Sequence, residues 1–257
     1  MLADVADASV LTAPPIASSS ELADRLSAIQ AVLPPGDGLA WFNRMYLLVT
    51  ESVRDNLGQQ AFADAAWMGQ LDAVFGNLYL DAVRNSVQAP DQVARAWAAL
   101  LEQRSQTGIA PLQFALAGMN AHINRDLPVA VVTTCQQLST APDAGAHHAD
   151  FERVNTVLAG AEPGIRELVE GQPLAEADQL FPGLQDVVGN FSMVQARETA
   201  WVNAQTLWAL DQLGGVQGAA YLDGLDHLTG FAGRGLLIRL NRTQSDAVRS
   251  APADFRA

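Results

Sequence analysis

The sequence predicts an all-α protein, a single-domain bundle of about eight to ten helices. Apolar residues recur at spacings of three and four over most of the chain, which places them on one face of a helix. Capping residues, glycines and prolines fall where these patterns begin and end. No segment alternates between apolar and polar residues over the length of a strand, apart from the short run from Leu236 to Leu240.

Capping signals and helix breakers define the first four helices. Ser18 and Glu21 have the spacing of a capping box, so that a helix begins there and ends before Pro34. Leu39 begins a run of apolar residues at helical spacing, and Gly58 is the expected C-terminal signal of that helix. The predicted helices cover residues 18–33, 39–58, 64–87 and 91–104.

Two prolines shape the centre of the chain. Pro111 suits the first turn of a fifth helix, which reaches Asp126. Pro128 then breaks or kinks the helix, and a helical stretch resumes to Leu138. Several glycines and prolines between residues 160 and 190 favour short helices there. The remaining predicted helices cover residues 148–158, 191–213 and 218–231.

The predicted helices belong to one domain. We expect residues 18–241 to form it, with residues 1–17 as a flexible N-terminal tail and residues 242–257 as a flexible C-terminal tail. The chain has 257 residues, of which 49% are hydrophobic, so it can bury a sizeable core without disulfides. Cys135 is the one cysteine, which excludes an internal disulfide and a cysteine metal cage.

Charge excludes several classes of partner. The chain has 15 basic and 28 acidic residues, a net charge of −13. Without a basic patch, neither nucleic acid nor an anionic membrane surface is an expected partner. All basic residues are arginines, which excludes a Schiff-base lysine. Because the sequence shows no secretory signal and no apolar stretch of membrane-spanning length, we expect a cytoplasmic protein. The expected partner is a small-molecule substrate. A protein partner or a homodimer stays open.

The segment from residue 118 to residue 128 places four polar side chains beside an apolar helix face. His122 and Asp126 lie on one flank, Asn120 and Asn124 lie on the other, and Arg125 points away. Burying such groups without partners would cost about 1–3 kcal/mol each. The four side chains therefore either cap the helix ends freed by the following proline or form the wall of a polar pocket.

A second set of polar residues begins the helix predicted at residue 148. His148 and Glu152 are four residues apart and share a face. A helix N-terminus disfavours imidazolium, so that His148 would stay neutral and able to bind a metal or a proton. Asp150 is explained by the same helix terminus.

The helix predicted over residues 191–213 contains an unexpected carboxylate. Phe191, Val194, Glu198, Trp201, Gln205 and Trp208 recur at helical spacing. Glu198 would therefore be buried on an aromatic stripe, while Arg197 points about 100° away. A buried glutamate either acts as a general acid with a raised pKa or forms a buried ion pair with an arginine. Asn77 and Asp81 are a similar pair, and Asp81 either is a buried acid or pairs with an arginine such as Arg84.

Five blocks of sequence together form a recognisable motif pattern. The most specific block runs from Asn120 to Leu127 as Asn-Ala-His-Ile-Asn-Arg-Asp-Leu. The blocks are residues 41–46, 75–79, 111–128, 148–151 with Asn155, and 196–201. Over residues 37–213 the chain resembles a bacterial family, common in actinomycetes, known as domain of unknown function 5995. The resemblance implies that the blocks around His122, His148 and Glu198 belong to one arrangement. It implies no activity, although its bacterial context leads us to expect a role in secondary metabolism.

The first functional hypothesis is a small-molecule enzyme without a cofactor, which uses acid–base chemistry for a cyclisation, an elimination or a hydrolysis. Its catalytic residues would be His122, Asp126, Glu198 and Asp81. Its substrate-binding residues would be Asn120, Asn124, Asn77, Tyr46, Arg197, Trp201 and His148.

Two further hypotheses come from other classes. A metal-dependent hydrolase or oxygenase would hold Zn, Mn or Fe through His122, Asp126 and His148. Asp150, Glu152 or Glu198 would complete that ligand set. A non-enzymatic ligand-binding or interaction module would use the same polar clusters only to specify helix packing.

Overall fold

The computed structural model describes residues 9–57, 62–170 and 193–238. It confirms the all-α class, since the described residues form nine α-helices besides a helical turn at residues 9–11 and contain no β-strand. The helices are α1 (Ser19–Val32), α2 (Gly38–Leu57), α3 (Ala65–Gln88), α4 (Arg95–Leu101), α5 (Pro111–Ala121), α6 (Leu127–Gln137), α7 (His147–Glu170), α8 (Met193–Asp211) and α9 (Val216–Leu236).

The starts of α1 and α3 follow the predicted capping residues. Ser18 Oγ accepts a hydrogen bond from the backbone N–H of Glu21 at 3.3 Å, as its capping-box spacing predicts. Asp64 Oδ1 accepts from the backbone N–H of Trp67 at 2.9 Å and caps α3. These side chains satisfy N–H groups that have no partner within their own helices.

The predicted fourth helix is too long. Residues Pro90–Gln92 form a 3-10 turn, Val93 and Ala94 are extended, and only Arg95–Leu101 is α-helical. The start of α4 is fixed by Asp226 of α9, whose carboxylate accepts from the backbone N–H groups of Arg95 and Ala96. A distant residue therefore sets this boundary, and local spacing does not show it.

Two other predicted helices are too short. The helix expected to end at residue 158 continues in α7 to Glu170, and the helix expected over residues 218–231 covers Val216–Leu236. Glycine and proline lower helix propensity without forbidding a helix, and tertiary packing overrides them here. Gly58, residues 171–190 and the tail at residues 242–257 lie outside the described residues.

Part of the predicted N-terminal tail packs against the domain. Ile16 is buried, and Asn77 on α3 binds both of its backbone polar groups. The Asn77 side chain accepts from Ile16 N and donates to Ile16 O, at 2.9 Å each. Asn77 thus has a structural use that its place in the sequence does not indicate.

The described residues bury two hydrophobic clusters. The first is centred on Phe42, Tyr79 and Trp97, and the second on Trp67 and Phe151. Helices α2 and α3 contribute to both, and the chain passes from the first cluster to the second between α5 and α6. None of the described helices is both long enough and apolar enough to cross a bilayer.

A π-helical turn at His122–Asp126 joins α5 to α6 at this junction. Pro128 lies in the first turn of α6 and has no N–H to donate, so that regular α-helical bonding is interrupted before it. The predicted break is confirmed, and it takes the form of a wider turn rather than a loop. Such turns frequently occur at functional sites, because they displace side chains from their regular positions.

Replacing Gly118 by alanine should destabilise the protein by about 1–3 kcal/mol, because the new methyl group would overpack the core. A Cβ at Gly118 would overlap the ring of Phe42, on the helix that faces α5. Urea denaturation of Gly118→Ala measures the effect. Gly69→Ala on α3 is the matched control, since a Cβ there meets nothing within 4 Å. We expect it to stabilise the protein by up to about 1 kcal/mol. Equal stabilities for the two variants would contradict this account of the packing.

Candidate functional site

A cavity of about 110 Å³ lies between α2, α3, α7, α8 and the π-helical turn. Thirteen of the eighteen described residues that line it are apolar. The five polar ones are Tyr46, Thr50, Asp72, His122 and Arg197. An apolar pocket with a few convergent polar groups is the usual form of a small-molecule site.

His122 is held by its ring face and by one ring nitrogen. The imidazole stacks on Phe75 with ring centroids 3.6 Å apart, and it is 3% exposed. Its Nδ1 lies 3.4 Å from Asp126 Oδ2, as the spacing of four residues predicts. Its Nε2 is buried and has no hydrogen-bond partner among the described residues.

Asp126 is fully buried and is surrounded by donors. Trp97 Nε1 donates to Oδ2 at 2.7 Å, and Arg125 Nη1 donates to Oδ1 at 2.7 Å. The expectation that Arg125 points away is wrong, because its side chain folds back on the π-helical turn to reach its neighbour. Asp126 therefore accepts hydrogen bonds from two structural donors and also contacts the imidazole of His122.

Two hydroxyl groups share the cavity with His122. The hydroxyls of Tyr46 and Thr50 are buried without a partner among the described residues, and the Tyr46 ring centroid lies 4.5 Å from that of His122. Burial raises the pKa of Tyr46 well above its usual value, and the nearby charge of Asp72 adds to the effect. Burial also lowers the pKa of His122, against the opposing influence of Asp126. At neutral pH the site thus holds a neutral imidazole beside a protonated phenol.

The buried charge on α8 is Arg197 and not Glu198. The predicted stripe is wrong, since Val194 is 50% exposed and Glu198 is partly exposed. The buried face consists of Arg197, Ala200, Trp201, Ala204 and Leu207. The small alanines at helical spacing let α8 pack closely, and this choice of face brings Arg197 to the cavity.

Arg197 is anchored to α7 by neutral acceptors. Its Nε donates to Asn155 Oδ1 and its Nη2 donates to the Phe151 carbonyl, both at 2.7 Å. The guanidinium carbon lies 4.1 Å from the centroid of the Phe151 ring. Burial lowers the pKa of Arg197 to about 10, with a smaller opposing effect of Glu198, so it stays charged at neutral pH.

His148 and Glu198 meet away from the cavity lining. His148 Nε2 lies 3.4 Å from Glu198 Oε2, and the His148 ring stacks on Trp201. With Glu152 they offer three ligand atoms within 4.8 Å of one another, the one such group among the described residues. His122 and Asp126 are not part of it, so the predicted ligand set of these two residues with His148 is not brought together. The metal hypothesis now depends on His148, Glu152 and Glu198.

The other predicted site residues have structural contacts. Asn120 donates to the Thr229 carbonyl of α9 at 2.9 Å, and Asn124 donates to Asn120 Oδ1 at 3.0 Å. Asp81 forms an ion pair with Arg84 and does not line the cavity. His227 is exposed, Cys135 is buried, and neither lines the cavity.

Sequence reasoning missed Thr50 and the methionines of the cavity. Tyr46, Thr50 and Val53 continue the helical spacing from Phe42, which is the signal that could have identified Thr50. Four of the five methionines of the chain line the cavity, namely Met45, Met68, Met119 and Met193. Their flexible thioethers adapt to ligands of different shape.

Residues 20–239 match a family described as a family of unknown function, DUF5995. The chain belongs to DUF5995. The match confirms the resemblance and contains every residue of the cavity lining. No curated protein and no solved structure matches this DUF5995 chain.

Lowering the pH should reduce the contribution of His122 to the stability of this DUF5995 protein. The folded-state pKa of His122 is depressed, whereas an unfolded histidine has a pKa near 6.5. Below about pH 6.5 the unfolded state therefore binds more protons, and stability falls as the pH falls. We expect the difference in unfolding free energy between the wild type and His122→Gln to shrink from about pH 7.5 to about pH 5 in urea denaturation.

His227→Gln is the control for this pH series, because His227 is exposed on α9 and outside the cavity. A shrinking difference of equal size in both variants would not come from the burial of His122. A His122 difference that grows as the pH falls would contradict the prediction, since it would indicate an imidazolium paired with Asp126.

Proposed function

We propose that the protein is an enzyme that performs acid–base chemistry on a small apolar molecule held in the cavity. One observation carries the proposal: the Nε2 of His122 and the hydroxyl of Tyr46 are both buried, both unpartnered among the described residues, and located on neighbouring rings of one cavity. Leaving such groups without a partner costs about 1–3 kcal/mol each. A bound ligand that hydrogen-bonds to both would remove this cost.

His122 is the proposed base. Asp126 accepts from Nδ1, which keeps the ring proton there and leaves the lone pair of Nε2 for the substrate. The carboxylate also stabilises the imidazolium that forms when Nε2 takes a proton. The depressed pKa keeps the imidazole unprotonated in the resting site.

Tyr46 is the proposed hydrogen-bond donor. Its raised pKa keeps the phenol protonated, so the hydroxyl can donate to a substrate oxygen that becomes negative when His122 removes a proton. Thr50 lies one helical turn further along α2 and lines the same cavity, where its hydroxyl can orient the substrate.

The cavity limits the substrate in size and polarity. Its volume is about 110 Å³, and its lining is mostly apolar. It therefore takes a small molecule or one apolar portion of a larger one. Elimination and cyclisation fit an apolar site better than hydrolysis does, because they consume no water.

This proposal uses part of the predicted catalytic set. His122 and Asp126 remain part of it, with His122 now as the base and Asp126 as the group that orients it, and Tyr46 becomes the hydrogen-bond donor as well as a binding residue. Glu198 and Asp81 take no part in it, since neither lines the cavity.

Deuterium exchange at carbon tests the proposed proton transfer without knowledge of the natural substrate. Cyclohexanone, acetophenone and 2-oxohexanoate are incubated with the protein in D₂O, and loss of the α-proton signals is followed by NMR. Binding is monitored separately through the ¹³C-labelled methionine methyl groups of the cavity. We expect the wild type to accelerate exchange of at least one compound that binds. His122→Gln and Tyr46→Phe should each slow it by about 100-fold or more.

His227→Gln and Tyr221→Phe make the same chemical changes outside the cavity lining and should keep the full rate. Circular dichroism establishes that all four variants are folded. Binding without any exchange in the wild type, or equal exchange in His122→Gln, would overturn the proposal. The first of these results would favour the ligand-binding module.

A further inference from the structure

The cavity wall contains a buried cation that forms no ion pair with any carboxylate of the described residues. Arg197 is 7% exposed, and its Nε and Nη2 donate to an amide oxygen and a backbone carbonyl, both neutral. Within the described part of the chain no ion pair includes Arg197, and the charge of Glu198 acts on it only as a smaller, longer-range effect. Its positive charge is therefore solvated by protein dipoles and by the ring of Phe151, and none of the described carboxylates pairs with it.

A buried charge that is hydrogen-bonded but not neutralised is well placed to bind an ion. Buried ionic groups are normally paired, because removing a charge from water is costly. Arg197 differs from Arg104, which is also largely buried but forms a bidentate pair with Asp37. Among the described residues there is thus an internal counter-ion for Arg104 and none in contact with Arg197.

We propose that the ligand of this cavity is a small apolar carboxylic acid whose carboxylate pairs with Arg197. This inference depends on the proposed function in one respect, namely that the cavity is the site where substrate binds. One guanidinium balances one negative charge, and the remaining lining is mostly apolar, so a monocarboxylate fits better than a phosphate. The overall charge of −13 argues against nonspecific attraction of anions to the surface.

The position of Arg197 also orients this ligand. Arg197 belongs to the wall formed by α7 and α8, whereas Tyr46 and Thr50 belong to α2 and His122 to the π-helical turn. Asp72, the carboxylate of the described lining, is on α3 and acts on Tyr46. A carboxylate at Arg197 would therefore leave the apolar body of the ligand directed towards the proposed base and the proposed hydrogen-bond donor.

The test compares benzoate with benzamide, which has the same shape without the charge. The full chain is labelled with ¹³C at its methionine methyl groups, four of which line the cavity. Titration followed by methyl NMR yields the dissociation constant of each probe and shows whether it occupies this cavity. We expect benzoate to bind at least tenfold more tightly than benzamide, because a charge-assisted pair with arginine is the stronger interaction.

Substitutions assign the preference to Arg197. Arg197→Gln should remove most of the preference for benzoate, and Arg197→Lys should retain part of it, since lysine keeps the charge but not the planar fork. Arg44→Gln is the matched control, because it removes an equal charge from an exposed position on α2. It should leave the preference unchanged. If Arg197→Gln does not fold, the wild-type comparison and the lysine variant still decide the question.

Benzamide binding as tightly as benzoate in the wild type would overturn the inference. A preference for benzoate that persists in Arg197→Gln would overturn it as well. Tighter binding of phenyl phosphate than of benzoate would also contradict it, since the ligand would then be a phosphate. The binding results do not depend on deuterium exchange. The proposed carboxylate preference and the proposed proton transfer can therefore fail separately.

Discussion

The arrangement of the site depends on the burial of one carboxylate, that of Asp126. A fully buried carboxylate has to be surrounded by donors, because its desolvation costs several kcal/mol. Trp97 of α4 and Arg125 of the π-helical turn donate to its two oxygens, and His122 lies at 3.4 Å from one of them. Trp97 also belongs to the first hydrophobic cluster. The carboxylate of Asp126 therefore fixes both the packing of α4 and the orientation of the His122 imidazole.

Two other buried aspartates show what a purely structural use looks like. Asp150 accepts from two consecutive backbone N–H groups just before α3, and Asp226 accepts from two at the start of α4. Each fixes a helix terminus with a residue distant in sequence, and neither lines the cavity. Asp126 differs because it orients an imidazole whose other nitrogen is unpartnered among the described residues. This difference separates the proposed catalytic carboxylate from the others.

Local spacing predicted the contacts that lie within one helix and failed for those that depend on packing. The pairs of His122 with Asp126 and of Asn120 with Asn124 follow from a separation of four residues. Spacing does not predict which of Arg197 and Glu198 is buried. Both stand beside apolar residues, and only the packing of α8 decides between them. For the same reason, the sequence does not show that His148 lies apart from His122. Nor does it show that four distant methionines line one cavity.

The apolar surroundings affect the groups of the cavity in different ways, and the two proposals depend on this difference. Burial favours the neutral forms of His122 and Tyr46, because it lowers the pKa of one and raises that of the other. The same burial lowers the pKa of Arg197 only to about 10, so the guanidinium keeps its charge at neutral pH. A ligand carboxylate would thus be held by charge at one wall, while neutral groups at another wall act on the rest of the molecule. Because the hydrogen-bonding partners of Arg197 on α7 are separate from those of His122, a ligand can be anchored without altering the hydrogen bonds that prepare the base.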